Sequence, residues 1–188
     1  MPIRSNIDEI KRNKTIIQCF IRPGIQSYKT IMELYSAPVR DVNLLCHFFF
    51  DFYNIRGLDS DFQRACFNSF LDDPTRKFQD LHKAMNEITG RNEFSLSTKL
   101  YHTAHPGDGI IVDKYVRDFC GRAKDVQNFD LWKSIGKDFE NSRVNDLINV
   151  FDELFEHDRG ISRLKKIDFM IWGWGKWKKF CKTSPNRP

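Results

Sequence analysis

Apolar residues recur at helical spacing along most of the chain. The pattern predicts one helix from Asp41 to near Gly57 and a second one beginning after Asp59. A third helix is predicted to begin at Asp73-Pro74, with the aspartate as N-cap and the proline as first helical residue, and to end at Gly90. Further helices are predicted at about 97–105, 113–121, 143–157 and 161–172.

The alternation of apolar and polar residues that is typical of β-strands is weak. Only two short segments, Thr15–Ile21 and Gly109–Val112, could be extended. The sequence contains no repeat and no low-complexity linker. We therefore expect a mostly α protein, a single compact helical domain over 1–182 with phenylalanine supplying much of its core, and a frayed tail at 183–188.

Composition narrows the class of protein. The 188 residues are 40% hydrophobic and 29% charged, which is enough apolar material for a packed interior and excludes global disorder. No window approaches 18 uncharged apolar residues, and the first residues lack the apolar stretch of a signal peptide. We expect a cytoplasmic monomer with no membrane partner.

The five cysteines include no C-x-x-C pair, so we expect them to be reduced and mostly buried.

Positive charge is concentrated near the end of the sequence. Eight basic residues and one aspartate give 163–188 a net charge of +7, so the rest of the chain carries −2 of the total of +5. Cations interleaved with aromatic rings suit phosphate contacts and base stacking. A core helix with a solvated basic face explains the same composition. The aromatic residues concerned are Trp172, Trp174 and Trp177.

The catalytic motifs that can be recognised without structural context are absent. The sequence has no P-loop, no G-x-G-x-x-G, no H-E-x-x-H and no G-x-S-x-G. His102 and His105 could share a metal on one helix face, but no third ligand has a suitable spacing, so we expect a structural or solvated pair. We predict neither a metal nor a cofactor.

Lys99 and Asp113 are candidates for a paired amine and carboxylate. Lys99 lies on a short helix that Pro106 must end, and the six residues to His105 advance about 9 Å. Seven extended residues span up to roughly 23 Å, so the chain can return beside the helix and place Asp113 next to Lys99. Such a pair suits a Schiff-base nucleophile, although an ordinary lysine and an N-cap aspartate explain the same residues.

Several of these residues also carry a resemblance to a known family. The string S-x-x-T-K-L-x-H at Ser95–His102, Pro106, Ile111-Val112-Asp113 and the later Ile167–Gly175 resemble the bacterial branch of the 8-oxoguanine DNA glycosylase fold, in the helix-hairpin-helix DNA glycosylase superfamily. The similar segments cover about 94–117 and 163–176. Where that family has a glycine-rich turn before the lysine, this chain has Asn92–Ser97, with only Gly90 upstream.

The resemblance implies a helix-hairpin-helix fold and excision of a damaged or modified base from duplex DNA, for repair or for defence against phage with modified bases. Lys99 takes the position of the family's catalytic lysine and Asp113 that of its catalytic aspartate. A lysine nucleophile would give an additional AP-lyase activity, whereas water would leave an abasic site. The expected phosphate-binding residues are Lys114, Arg117, Lys176, Lys178 and Lys179, and those expected at the base pocket are Phe94, Tyr101, Trp172 and Trp174.

Two other classes of function fit the sequence without that chemistry. A non-catalytic DNA-binding module would keep the basic face and be indifferent to Lys99 and Asp113. A protein-interaction or toxin–antitoxin domain would need neither DNA nor those two residues. Salt-dependent DNA binding and release of a base separate the three classes.

Overall fold

The structure is a computed structural model, and it describes residues 2–55, 57–158 and 160–183. Helices account for 76% of the chain, and the described residues contain no strand, so the predicted mostly α class is confirmed. The α-helices are α1 (Pro2–Arg12), α2 (Lys14–Ser36), α3 (Val42–Tyr53), α4 (Ser60–Asp72), α5 (Phe78–Thr89), α6 (Phe94–Ala104), α7 (Lys114–Phe119), α8 (Phe129–Glu140), α9 (Asn145–Leu154) and α10 (Arg163–Thr183), with 3-10 helices at Ser142–Val144 and Glu156–Asp158.

Two compact units divide the chain. Unit 1 comprises 1–23 and 111–188, and unit 2 comprises 24–110. The division falls within α2, beside Pro23. The single domain expected over 1–182 stays a prediction. Of the expected tail, Thr183 is the last residue of α10, and 184–188 lie outside the described residues.

Helix boundaries were predicted well where a side chain caps the helix. The Asp41 carboxylate accepts a hydrogen bond from the Leu44 amide at 3.0 Å and begins α3. Asp59 begins α4 in the same way, through the amide of Phe62. Gly90, with φ of +69°, ends α5 as predicted, because glycine adopts the left-handed conformation without a steric penalty.

The predicted helix start at Asp73-Pro74 is wrong. Asp73 instead follows the end of α4, and its carboxylate accepts hydrogen bonds from the backbone amide and the hydroxyl of Thr75. These bonds close a local turn, which competes with helix formation at an aspartate. The helix begins only at Phe78, where the buried stripe of α5 starts.

The two segments that could be extended are not strands. Thr15–Ile21 lies inside α2, because Ile17 and Ile21 are four residues apart and both fully buried, while Ile16 is 52% exposed. Gly109–Val112 lies outside regular secondary structure. Helices α1, α2 and α8 were not predicted, although α8 has an N-cap asparagine, Asn128, and a buried stripe of Leu131, Ile135 and Phe139.

Aromatic side chains fill both cores, as expected. In unit 2, Phe49 and Phe67 are fully buried, with ring centroids 5.4 Å apart, between α3 and α4. In unit 1, Phe151 of α9 stacks on Phe169 of α10, with ring centroids 6.1 Å apart.

All five cysteines are free thiols; Cys66 and Cys120 are buried, Cys46 and Cys181 are half-buried, and Cys19 is exposed. None of the helices in the described part of the chain combines the length and apolar composition needed to cross a membrane.

Candidate functional site

Lys99 is a buried lysine on α6 in unit 2. The fully buried side chains of Phe94 and Leu100 hold this helix in the core, and Lys99 itself is only 8% exposed. Its Nζ donates a hydrogen bond to Ser95 Oγ at 3.1 Å, one helical turn earlier, and lies 5.5 Å from the centre of the Tyr53 ring. The Lys99 Nζ atom is therefore positioned by a hydroxyl group and an aromatic ring.

The turn between α5 and α6 is tied by its own side chains. Asn86 Oδ1 accepts the Glu93 amide at 2.8 Å, and Asn92 Oδ1 accepts the Phe94 amide at 3.2 Å. Arg91 pairs with the buried Glu93 carboxylate. Because these backbone amides already have acceptors within the chain, the turn does not present them to an external phosphate.

Asp113 is the N-cap of α7 in unit 1. Its Oδ1 accepts the Val116 amide at 3.0 Å, and the carboxylate follows the buried residues Ile111 and Val112. The predicted N-cap role is therefore confirmed. Asp113 and Lys99 belong to different units, and their pairing stays a prediction.

His102 braces the segment that follows α6. It is fully buried; its Nδ1 donates to the Gly109 carbonyl at 2.6 Å, and its Nε2 lies 3.3 Å from the Tyr28 hydroxyl. A Cβ on Gly109 would come within 2.7 Å of the His102 backbone, so glycine is required for this close approach. Both ring nitrogens are engaged, as expected for a structural histidine. The described residues contain no cluster of three or more His, Cys, Asp or Glu side chains able to hold a metal.

The two unit 2 residues expected at a base pocket lie in an aromatic cluster. Phe94 is fully buried and makes an edge contact with Phe78 at 5.9 Å. Tyr101 is half-buried, 4.5 Å from the His105 ring. Burial and the nearby Asp108 carboxylate raise the pKa of Tyr101, so its hydroxyl stays protonated near neutral pH.

Unit 1 contains a cleft of about 630 Å³ between α1, α7 and α10, which we call the lysine cleft. It brings together four residues predicted from the sequence, namely Lys114, Lys178, Lys179 and Trp174, and adds Lys182. Asp118 is the one acidic residue among its lining residues, so these side chains carry a net charge of +3. The lysine cleft is thus suited to an anion.

One cationic side chain of the lysine cleft is held in place within the chain. Lys178 Nζ lies 3.3 Å from the Glu9 carboxylate and 4.6 Å from the centre of the Trp174 ring. Trp174 is 4% exposed and donates its indole N–H to the same carboxylate at 2.7 Å. The other three lysines pair with no carboxylate of the described residues, so their charges are available to a ligand.

Tyr115 and Gly175 line the lysine cleft and are in close contact with each other. A Cβ on Gly175 would lie 2.1 Å from Tyr115 Cδ1, so the tyrosine ring rests directly on the α10 backbone. Burial, followed by the carboxylates of Asp113 and Asp118, raises the pKa of Tyr115. Its hydroxyl therefore remains a hydrogen-bond donor at neutral pH.

Three of the predicted unit 1 residues do not line the lysine cleft. Arg117 is half-buried and donates to the Ala123 carbonyl at 3.1 Å, bracing the turn after α7. Lys176 lies 5.1 Å from the centre of the Trp172 ring, and both side chains are half-buried. Their expected roles in phosphate binding and in the base pocket stay predictions.

Sequence reasoning missed the contribution of α1 to the lysine cleft. Pro2 and Asn6 line it, and Asn6 also donates to the Phe119 carbonyl at 2.8 Å. The spacing of Ile3, Ile7 and Ile10 is that of an amphipathic helix and could have revealed α1. Its position beside α7 and α10 could not be derived from that spacing.

Comparisons of the chain with protein-family models, with curated proteins and with solved structures find no match. The functional argument therefore depends on the residues themselves.

Proposed function

We propose that the protein is a DNA N-glycosylase of the helix-hairpin-helix type, which flips a damaged or modified base out of DNA and releases it. The observation that carries the proposal is the buried Lys99, 8% exposed on α6 beside the Ser95 hydroxyl. Burying an ammonium group is costly, and such lysines are enriched at catalytic sites. The lysine cleft supports the choice of DNA as substrate.

Lys99 and Asp113 have distinct roles in this proposal. The Asp113 carboxylate stabilises the positive charge that develops on the sugar as the bond between C1′ and the base nitrogen breaks. The base leaves with the bonding electrons and is protonated. Either the neutral amine of Lys99 or a water molecule then forms the new bond to C1′. In the amine pathway the nitrogen loses a proton, the bond between C1′ and the ring oxygen O4′ breaks as O4′ takes up a proton, and an imine remains.

Borohydride trapping tests the role of Lys99 directly. The protein is incubated with a panel of duplexes carrying damaged or phage-type modified bases, and released base and covalent adduct are measured. We expect base release from at least one duplex and, with borohydride, a protein–DNA adduct that Lys99→Gln loses. Since a lysine must be neutral to attack, trapping should increase as the pH is raised.

Lys166→Gln is the matched control, because Lys166 is also 8% exposed but pairs with Asp152 at 2.7 Å. Trapping should be retained in this variant. Base release without any adduct would assign the attack to water and leave Lys99 a positioning role. DNA binding without base release from any duplex would contradict the glycosylase proposal and favour a non-catalytic DNA-binding module.

A further inference from the structure

The lysine cleft has the charge of a phosphate site and a concave shape that a solvated basic face lacks. Lys114 reaches it from α7, whereas Lys179 and Lys182 reach it from α10. These three lysines form no ion pair with a carboxylate of the described residues, so a ligand anion or solvent ions would reduce their mutual repulsion further than Asp118 does. An arrangement of this kind favours an anion that contacts several of them at once.

The spacing along α10 matches a strand of nucleic acid. Lys179 and Lys182 are three residues apart, so they lie on the same side of the helix about 4.5 Å apart along its axis. Neighbouring phosphates of one DNA strand advance about 3.4 Å along the duplex axis, so the lysines match nearby phosphates of one strand. Tyr115 and Asn6 add two uncharged polar residues to the lining.

The turn before α6 strengthens this assignment. Its Glu93 and Phe94 amides donate to Asn86 and Asn92, so these two amides are not available to bind the DNA backbone. A glycosylase still needs backbone contacts to hold the strand while a base is flipped.

We propose that the lysine cleft is the main site at which this protein binds DNA, holding successive phosphodiesters of one strand through Lys114, Lys179 and Lys182. The inference rests on the proposed function for the choice of DNA, and it adds Lys182 and Tyr115 to the binding residues. Asp118 opposes binding, because its carboxylate faces the same space as the phosphates.

The test uses unmodified duplex DNA, from which no base is released, and measures affinity by fluorescence anisotropy between 50 and 200 mM salt. The variant replaces Lys114, Lys179 and Lys182 with glutamine. We expect weaker binding to all sequences and a salt slope reduced by up to about three, since each phosphate contact contributes close to one. When the salt concentration rises fourfold, the affinity of the wild type should therefore fall by a factor roughly 60 times larger than that of the variant.

The matched control replaces three exposed lysines of unit 1 outside the lysine cleft, Lys124, Lys133 and Lys137, and so removes the same charge. The control should change the slope by less than about one, and Asp118→Asn should tighten binding. Equal slopes in wild type and the lysine cleft variant would overturn the proposal.

Competition identifies the source of the phosphate. Excess unlabelled duplex should displace the labelled duplex, whereas inorganic phosphate and a mononucleotide at the same phosphate concentration should not. Full displacement by the mononucleotide would overturn the assignment to a strand and indicate a small-ligand site. Because borohydride trapping reports on Lys99 and anisotropy on the lysine cleft, failure of either proposal is recognised separately.

Discussion

Replacing Gly175 with alanine should destabilise the protein, although the same change usually stabilises a helix. Gly175 lies within α10, and alanine is favoured over glycine in a helix by about 1 kcal/mol. Against this gain, the new methyl carbon would lie 2.1, 2.6 and 2.8 Å from three atoms of the Tyr115 ring. Carbon atoms in contact are normally about 3.5–4.0 Å apart, so the ring or the helix must move by about 1 Å or more.

The helix preference for alanine and the clash with the Tyr115 ring together determine how much Gly175→Ala changes the free energy of unfolding. Overpacking of this kind costs about 1–3 kcal/mol, so Gly175→Ala should lower the free energy of unfolding by up to about 2 kcal/mol. In a Tyr115→Ala background the clash is absent and only the helix preference remains. There the same substitution should raise the free energy of unfolding by about 1 kcal/mol.

Urea denaturation of the four proteins in this double-mutant cycle measures the effect. The control is Gly107→Ala, because a Cβ on Gly107 meets no atom within 4 Å and should not destabilise. A change of sign between the two backgrounds is the decisive result. If Gly175→Ala stabilised the wild type as much as the Tyr115→Ala variant, the close packing of the ring on α10 would be refuted.

Two further predictions concern ionisable groups of unit 1. Asp113→Asn should lower single-turnover base release about 100-fold or more while changing the free energy of unfolding by less than about 0.5 kcal/mol, since asparagine is an equally good N-cap; undiminished release would remove Asp113 from the chemistry. Burial, followed by the Asp138 carboxylate, raises the pKa of Cys120 from 9.0 to about 12. The unfolded thiol therefore ionises first, and stability should fall as the pH rises from about 9 to 12. Relative to a Cys120→Ala variant, the wild type should lose about 1.4 kcal/mol more by pH 10 in urea denaturation, and equal losses would contradict this.

The sequence predicted helices best where the signals were local. Two helices begin at a capping aspartate, Asp41 or Asp59, and one ends at Gly90. These boundaries depend on hydrogen bonds or backbone angles between residues close in sequence, so they could be inferred without knowing the fold. The same kind of signal failed at Asp73, because an aspartate can cap a helix or close a turn, and the choice depends on where the buried stripe begins.

The lysine cleft could be predicted only in part. The basic end of the chain indicated an anion site and included Lys178, Lys179 and Lys182. Periodicity could not place α1 and α7 beside that helix, because it reports which face of a helix is buried and not which helix covers it. In the sequence Gly175 is only the last residue of the segment Ile167–Gly175, whereas in the structure it allows close contact between α10 and Tyr115.

Unit 1 is assembled from the two ends of the chain, and this has a consequence for synthesis on the ribosome. The hydrogen bond between Trp174 and Glu9 joins residues 165 positions apart. At 5–20 residues per second, the ribosome adds Trp174 roughly 10–30 s after it has added Glu9. Unit 2 is one continuous segment whose helices contact their neighbours in sequence, so it can fold during this interval. Until α7 and α9 have been synthesised, the apolar face of α1, with Ile7 and Ile10, lacks the contacts that cover it in the folded protein and stays exposed to water.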